Sequence, residues 1–265
     1  MRRWTVRTGF AGLGAAAVGA AWLATAAVGG GANLLDRVAT PFGAHVGYLG
    51  TRVPDLVAIL PKPPETGSPQ EKADDGFFLK TRALVGTPRW QMATADVETK
   101  GYARFDCAIG MDLKPGMAPA LDRLIDRTAM DALVMGLAKS RFARPRPFKA
   151  HPGAPICDHV TTDLNTTYDY PSGHATRGYA TALILTELWP ERADALLARG
   201  RDYAESRAIC GVRSQSAVRA GMLAGAALVA VEHGNASFMG DLKAAHAELA
   251  RLRARLPRPG GCPTA

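Results

Sequence analysis

The chain has 265 residues, of which 47% are hydrophobic and 21% are charged, and its formal net charge at pH 7 is +8. This length and composition suit one domain with a single core, and the mean hydropathy of -0.04 argues against a protein of many membrane spans. The basic residues do not form runs with interleaved aromatic residues, which argues against nucleic-acid binding.

The first 26 residues have the pattern of a secretory signal peptide. Arg2, Arg3 and Arg7 form a basic start, an apolar stretch rich in alanine and glycine follows, and Ala24 and Ala26 offer a cleavage site. We therefore expect a periplasmic or secreted protein, exported by the general or the twin-arginine route. The alternative is an uncleaved anchor, because about 20 apolar residues can span a bilayer. We expect no stable membrane insertion of the mature chain.

Residues 27–70 are predicted to form an N-terminal, proline-rich arm. The stretch PDLVAILPKPPETGSPQ (54–70) contains five prolines. Proline fixes φ and lacks an N–H donor, so this stretch is expected to be extended and linker-like.

Apolar residues at helical spacing recur from residue 71 to residue 256, which we expect to be the folded domain. No strand-like alternation of any length is present. The sequence therefore predicts an all-α fold, a single bundle of about seven helices, followed by a loop-like tail at 257–265. The predicted helical segments are 71–86, 117–142, 174–189, 192–211, 216–234 and 241–256. The predicted inward face of 117–142 consists of Leu121, Leu124, Ile125, Ala132 and Met135.

The four cysteines agree with export. Cys107, Cys157, Cys210 and Cys262 are widely spaced and form no C-x-x-C pair, so a zinc or thioredoxin-type site is not expected. Two disulfides are plausible in an oxidising compartment. Three pairings are possible, and the sequence does not choose among them.

Three short segments carry the candidate chemistry, and the second of them begins a predicted helix. In YPSGHAT (170–176), Ser172 is a suitable N-cap, and Gly173 allows a ligand to approach the backbone. His174 then lies in the first helical turn, where it can hand a proton to a leaving oxygen. A helix N-terminus favours anions because its N–H groups are free and its dipole is positive. A Ser-Gly-His sequence by itself usually marks only the start of a helix, so a functional assignment depends on the other two segments.

Those two segments contribute cations. KSRFARPRPF (139–148) contains Lys139 and Arg146, and SRAICGVRSQSA (206–217) contains Arg207. Both residue types bind phosphate oxygens, and arginine can bind two at once. Basic residues usually form solvated faces. The order and spacing of the three segments, on predicted helix ends, is what favours a phosphate site.

In this order, K-x6-RP, PSGH and SR-x5-H-x3-D are the signature of a superfamily that holds type 2 phosphatidic acid phosphatases, class A acid phosphatases and vanadium haloperoxidases. The chain most resembles the secreted bacterial class A nonspecific acid phosphatases, over roughly residues 70–225. The segment TRALVGTPRWQMATAD (81–96) also resembles that group. The resemblance implies the helical fold of the superfamily and hydrolysis of phosphomonoesters without a metal or other cofactor.

The resemblance also implies a mechanism. A histidine of the third motif attacks phosphorus and forms a phosphohistidine, an aspartate four residues later orients it, and the PSGH histidine, here His174, protonates the leaving alcohol. The residues that the resemblance assigns to phosphate binding are Lys139, Arg146, Ser172, Gly173 and Arg207.

The third motif departs from the family pattern. Arg213 stands where the nucleophilic histidine is expected, and Ala217 stands where its aspartate is expected. Arg219 occupies a position that is frequently acidic in the family. Arginine cannot replace histidine as the nucleophile, because its guanidinium stays protonated and offers no lone pair. A shifted register does not restore the motif, since no histidine lies between His174 and His233.

The first hypothesis is an acid-phosphatase-like protein that binds phosphate or a phosphomonoester, with Arg213 as an added cation and phosphohistidine turnover impaired or lost. The second is an active phosphatase that uses water or another histidine, such as His151 or His159. The alternative for His151 and His159 is that they are exposed loop residues without a catalytic role. The third is a non-catalytic helical interaction protein with a vestigial site.

Two other activities of the superfamily are disfavoured. The sequence lacks the histidine that binds vanadium in the haloperoxidases. It also lacks the membrane spans of the lipid phosphatases. The sequence indicates neither the physiological ligand nor an oligomeric state.

Overall fold

The computed structural model describes residues 46–50, 52–97, 101–158 and 161–262. The predicted signal peptide (1–26) and the first part of the arm lie outside these residues. The described residues form helices and loops without strands, which confirms the all-α prediction. The α-helices are α1 (Leu56–Ile59), α2 (Pro69–Thr81), α3 (Pro88–Ala95), α4 (Asp106–Ile109), α5 (Pro119–Asp131), α6 (Met135–Phe142), α7 (Thr162–Thr166), α8 (Gly173–Leu188), α9 (Ala193–Ile209), α10 (Gln215–Glu232) and α11 (Ala236–Leu252).

Three of the longer helices, α8, α10 and α11, begin at polar N-caps that the sequence supplies. The Ser172 side chain accepts from the N–H of Ala175 at the start of α8, and Ser214 caps α10 in the same way. Asn235 caps α11, which therefore starts five residues before the predicted 241. These caps satisfy N–H groups that have no partner within their own helix.

Helix α8 is central and packs against both α9 and α10. Two glycines bring α10 close to the N-terminal half of α8. A Cβ added at Gly221 would overlap the carbonyl oxygen of Ser172, and one at Gly225 would lie 2.6 Å from the carbonyl oxygen of Thr176. The two helices therefore meet backbone to backbone, which fixes the start of α8 against the start of α10.

The predicted inward face of 117–142 is buried: Leu121, Leu124, Ile125, Ala132 and Met135 are each no more than 4% exposed. The segment is not one uninterrupted α-helix, since a 3₁₀ turn at 132–134 separates α5 from α6.

Part of the predicted arm is attached to this bundle. Asp131 at the end of α5 accepts from the backbone N–H groups of Tyr48 (2.6 Å) and Leu49 (3.2 Å). Further along, Leu56 and Leu60 pack against α6 and α10. The described part of the arm is therefore held by hydrogen bonds and apolar contacts.

The structure selects one of the three disulfide pairings, Cys107–Cys262 and Cys157–Cys210. The second disulfide joins the loop before α7 to the end of α9. In the described parts of the chain, none of the helices combines the length and apolar character needed to cross a membrane.

Candidate active site

The N-terminus of α8 is the centre of the candidate site. The backbone N–H of Ser172 donates to the carbonyl of Ala217 (3.0 Å), which ties this turn to the start of α10. The N–H groups of Gly173 and His174 are the first two of the helix, so they have no acceptor within it. Gly173 lies against the Lys139 side chain, since a Cβ built there would be 3.9 Å from the lysine Cε. A cation thus lies beside a free helix N-terminus.

Lys139 and Arg213 meet at one acceptor. The Lys139 ammonium donates to the carbonyl of Tyr168 (3.1 Å), and Nη1 of Arg213 donates to the same carbonyl. Nη1 of Arg213 also donates to the carbonyl of Asp169 (2.7 Å). The carbonyl of Tyr168, in the segment before PSGH, therefore holds Lys139 of the first motif next to Arg213 of the third motif.

Arg146 is buried and connects the same segment to the third motif. Its Nε and Nη2 donate to the carbonyl (3.1 Å) and hydroxyl (2.6 Å) of Thr167, and its Nη1 donates to the carbonyl of Val212 (3.0 Å). Arg146 thus positions the residue that precedes Arg213.

Arg207 lies in the last turn of α9, where a cation suits the negative end of the helix dipole. Its side chain is 7% exposed, and its Nη2 donates to Asp158 at 2.9 Å. Its Nε and Nη1 are buried and have no hydrogen-bond acceptor among the described residues. Buried donors of a charged group without an acceptor are costly, and an anion with several oxygens would satisfy them.

His174 is held flat against Tyr203, with ring centroids 4.7 Å apart and an interplanar angle of 5°. The backbone of Asp96 hydrogen-bonds its ring, and its Nε2 is buried with no partner in the described structure. Burial, followed by the charge of Arg207, lowers the pKa of His174 well below its ordinary value. The imidazole is therefore neutral near pH 7 when the site is empty.

The third motif has no imidazole–carboxylate pair. The Arg213 side chain is buried, and Ala217 packs with Tyr170, Ala220 and Phe142. A buried carboxylate that interacts with Arg213 belongs to Asp169, which accepts from the backbone N–H (3.0 Å) and hydroxyl (2.6 Å) of Ser214. Burial raises the pKa of Asp169, and the charge of Arg213 opposes that shift. Asp169 thus provides a counter-charge for Arg213.

Comparison with known proteins identifies the family. A profile of the PAP2 superfamily matches residues 125–235. The chain is 38% identical over 215 residues to an acid phosphatase of Zymomonas mobilis, a match that covers 77% of this chain and 79% of the relative. It is 37% identical over 205 residues to a non-specific acid phosphatase of Providencia stuartii, covering 75% and 82%. A non-specific acid phosphatase of Salmonella typhimurium is 35% identical over 176 residues, covering 63% of this chain and 69% of the relative. The chain belongs to the bacterial acid phosphatases of the PAP2 superfamily.

Against this family background, the structure brings the sequence-predicted residues together. Contacts with the segment 167–169 join Lys139, Arg146 and Arg213, while Gly173 lies beside the Lys139 side chain. The charges of Arg207 and Arg213 both act on His174. Their role in binding a ligand remains a prediction.

The sequence analysis of this acid phosphatase relative missed several residues that surround these positions. Tyr203 precedes Arg207 by one helical turn, a spacing that could have drawn attention to it. Asp158 follows Cys157 directly, but only the fold brings it to Arg207. Asp96 lies 78 positions before His174, and no local signal connects them.

Of the two loop histidines, His151 is described and His159 lies outside the described residues. His151 stacks on Phe78, and its Nε2 lies 2.5 Å from Oδ1 of Asp75. His151 thus packs against α2. In the described parts of this acid phosphatase relative, no group of three or more histidine, cysteine, aspartate or glutamate side chains is placed to hold a metal ion.

Proposed function

We propose that this acid phosphatase relative is an exported protein that binds phosphate or a phosphomonoester and has impaired or lost phosphohistidine-type hydrolysis. The observation that carries the proposal is the buried guanidinium of Arg213, which follows Val212 where the family signature has a histidine. Its Nη1 donates to two backbone carbonyls.

The chemistry of arginine argues against turnover through a phosphohistidine. A nucleophile needs an available lone pair and a group that orients it. The guanidinium of Arg213 is a donor only, and the methyl group of Ala217 cannot accept a hydrogen bond. A water molecule that attacked directly would need another base.

The surrounding groups support binding. The free N-terminus of α8, the neighbouring Lys139 and the two buried donors of Arg207 all favour an anion with several oxygens. Arg213 adds positive charge next to Lys139, since both donate to Tyr168.

Bound phosphate would also change the protonation of His174. The imidazole is neutral in the empty site because burial and neighbouring arginines disfavour a further positive charge. A bound anion offsets those arginines, so it raises the pKa of His174 and favours the imidazolium. The same group could then donate to an ester oxygen.

Export to the periplasm or the medium belongs to this proposal. The signal-like first 26 residues support it, and so do the disulfides Cys107–Cys262 and Cys157–Cys210, because disulfides persist in oxidising compartments.

The second candidate is an active acid phosphatase. The names of the three relatives favour it, and water or His151 would then replace the missing nucleophile. The contact of His151 with Asp75 favours a role in holding the loop before α7. Unchanged phosphate release by His151→Ala would exclude its recruitment.

The deciding experiment restores the missing pair. Phosphate release from an aryl phosphate is measured between pH 5 and pH 7 for the wild type and for Arg213→His/Ala217→Asp. We expect no measurable turnover by the wild type and clear turnover by the double variant, because the variant regains a nucleophile and its orienting carboxylate. Efficient turnover by the wild type would refute impairment and favour the second candidate.

The contribution of Arg213 to binding is tested with inorganic phosphate. Isothermal titration calorimetry of Arg213→Ala should show affinity lowered by about tenfold or more, since a charge-assisted hydrogen bond contributes about 1.5–3 kcal/mol. Arg219→Ala is the matched control, because Arg219 is exposed on α10, the helix that begins just after Arg213, and bonds only Gln215 in the described structure. Equal affinity for Arg213→Ala and the control would remove Arg213 from the site.

A further inference from the structure

The guanidinium of Arg207 has two faces on which an oxyanion can bind through two parallel hydrogen bonds. One face is formed by Nε and Nη2, and the other by Nη1 and Nη2. Nη2 takes part in both faces, with one of its two N–H groups directed to each. An acceptor on one N–H of Nη2 therefore prevents two-point binding on one face and leaves the other face open.

Asp158 occupies that nitrogen. Its Oδ2 accepts from Nη2 of Arg207 at 2.9 Å, and the two side chains are only 18% and 7% exposed. The other two nitrogens, Nε and Nη1, are buried and lack an acceptor among the described residues. Asp158 thus takes one N–H of the guanidinium, while Nε and Nη1 remain without an acceptor.

The position of Asp158 is fixed by the chain on its N-terminal side. Cys157 forms a disulfide with Cys210, and its backbone N–H donates to the Cys210 carbonyl at 3.3 Å. Cys210 immediately follows α9, whose last turn carries Arg207. The carboxylate is therefore held close to its partner, and little chain entropy is lost when the ion pair forms.

We infer that Asp158 is an internal competitor of the anion, a carboxylate that pairs with Arg207 and opposes binding of phosphate at the same guanidinium. A phosphate group either displaces Asp158 from Nη2 or binds the open face beside it, and in both cases it satisfies a donor that was buried without a partner. The competitor lowers affinity twice, by blocking one donor and by repelling a second anion. This inference rests on the proposed function, since it concerns the same site.

The test measures binding of inorganic phosphate by the purified full chain at pH 7, by isothermal titration calorimetry. Asp158→Asn removes the charge and keeps the shape, and we expect it to bind phosphate about tenfold more tightly, the factor that corresponds to about 1.4 kcal/mol. Asp158→Glu retains the charge and should bind as weakly as the wild type. Thermal unfolding of each variant checks that it is folded.

Asp112→Asn is the matched control. Asp112 forms an ion pair with Lys114 at 2.6 Å, and both side chains are exposed. The control changes the net charge by the same amount and also breaks an ion pair. It should leave phosphate affinity unchanged, so a general effect of charge is separated from release of Arg207.

The outcomes separate this inference from the proposed function. Binding by the wild type tests the proposed function, whereas the ratio between Asp158→Asn and the wild type tests the competitor. Equal or weaker binding by folded Asp158→Asn overturns the competitor and leaves the proposed function standing. Binding by Asp158→Asn alone supports the competitor and refutes binding by the native protein. Absence of binding in both overturns both proposals.

Discussion

Gly178 allows the Tyr203 ring to lie flat against the imidazole of His174. A Cβ added at Gly178 would overlap the Tyr203 ring. The stack of Tyr203 on His174 in turn sets the plane of the imidazole. Gly178 thus helps to orient a group of the candidate site.

We therefore expect Gly178→Ala to lower the free energy of unfolding by about 1–3 kcal/mol, the usual effect of adding volume to a packed core. Chemical denaturation at pH 7 measures the change. Gly240→Ala is the matched control, because Gly240 also lies within a helix and an added Cβ there meets nothing within 4 Å. The control should gain about 0.5–1 kcal/mol from helix propensity. Equal gains in both variants would show that the Tyr203 ring moves aside freely.

Among the individual residues, those that belong to contiguous motifs could be predicted as candidates from the sequence. Ser172, Gly173 and His174 lie in one turn, so their cap and helix start are local features. Asp158 and Asp96 could not be predicted, because their contacts depend on how the loop before α7 and the end of α3 pack against distant helices.

Among the elements, helices were predicted best where their caps agree with their apolar spacing. The structure has α8 at 173–188 against a predicted 174–189, and α10 at 215–232 against 216–234. Helix α3 was not predicted, although Thr87 caps it and Pro88 occupies its first turn. Its short apolar pattern is weak, so only the Thr-Pro pair marked its start.

The contact between α5 and α10 contains two carboxyl groups that face each other. Asp131 of α5 and Glu232 of α10 are both buried, and the hydroxyl of Thr128 donates to Glu232 at 3.1 Å. Burial and the neighbouring Asp131 raise the pKa of Glu232 to about 9. Glu232 is therefore protonated near pH 7 and donates to Asp131, which in turn holds the backbone of Tyr48.

This pair predicts a specific dependence of stability on pH. The folded pKa of Glu232 lies above its unfolded value of 4.5, so the folded state binds more protons and Glu232 lowers stability as the pH rises from about 4.5 to about 9. Glu232→Gln is neutral at every pH and its amide can still donate to Asp131. The variant should therefore match the wild type near pH 5 and become progressively more stable than it towards pH 8, as measured by urea denaturation.

Glu191→Gln provides the control, since Glu191 is exposed and pairs with Arg253 at the surface. Its difference from the wild type should stay small across this range, because exposed ion pairs contribute about 0–1 kcal/mol. A constant difference for Glu232→Gln between pH 5 and pH 8 would show that the buried carboxyl is ionised throughout.

For the whole molecule, composition and periodicity were sufficient to predict an all-α fold, because amphipathic helices of this length can bury their apolar faces only against one another. The disulfide pairing was beyond the sequence. Cys107 and Cys262 are separated by 155 residues, and only the packed chain brings their Cα atoms to 5.4 Å. The attachment of Tyr48 to α5 was also missed, since the proline-rich composition of the following stretch suggested a free linker.

The two disulfides are nested, because the loop closed by Cys157–Cys210 lies inside the loop closed by Cys107–Cys262. Every candidate residue from Lys139 to Ala217 falls within the outer loop. A protease that cuts one peptide bond anywhere between Cys107 and Cys262 leaves all fragments covalently linked, so a nicked chain keeps its complete set of binding groups. After such a cut, the binding groups are held together by the disulfides and no longer by an unbroken backbone.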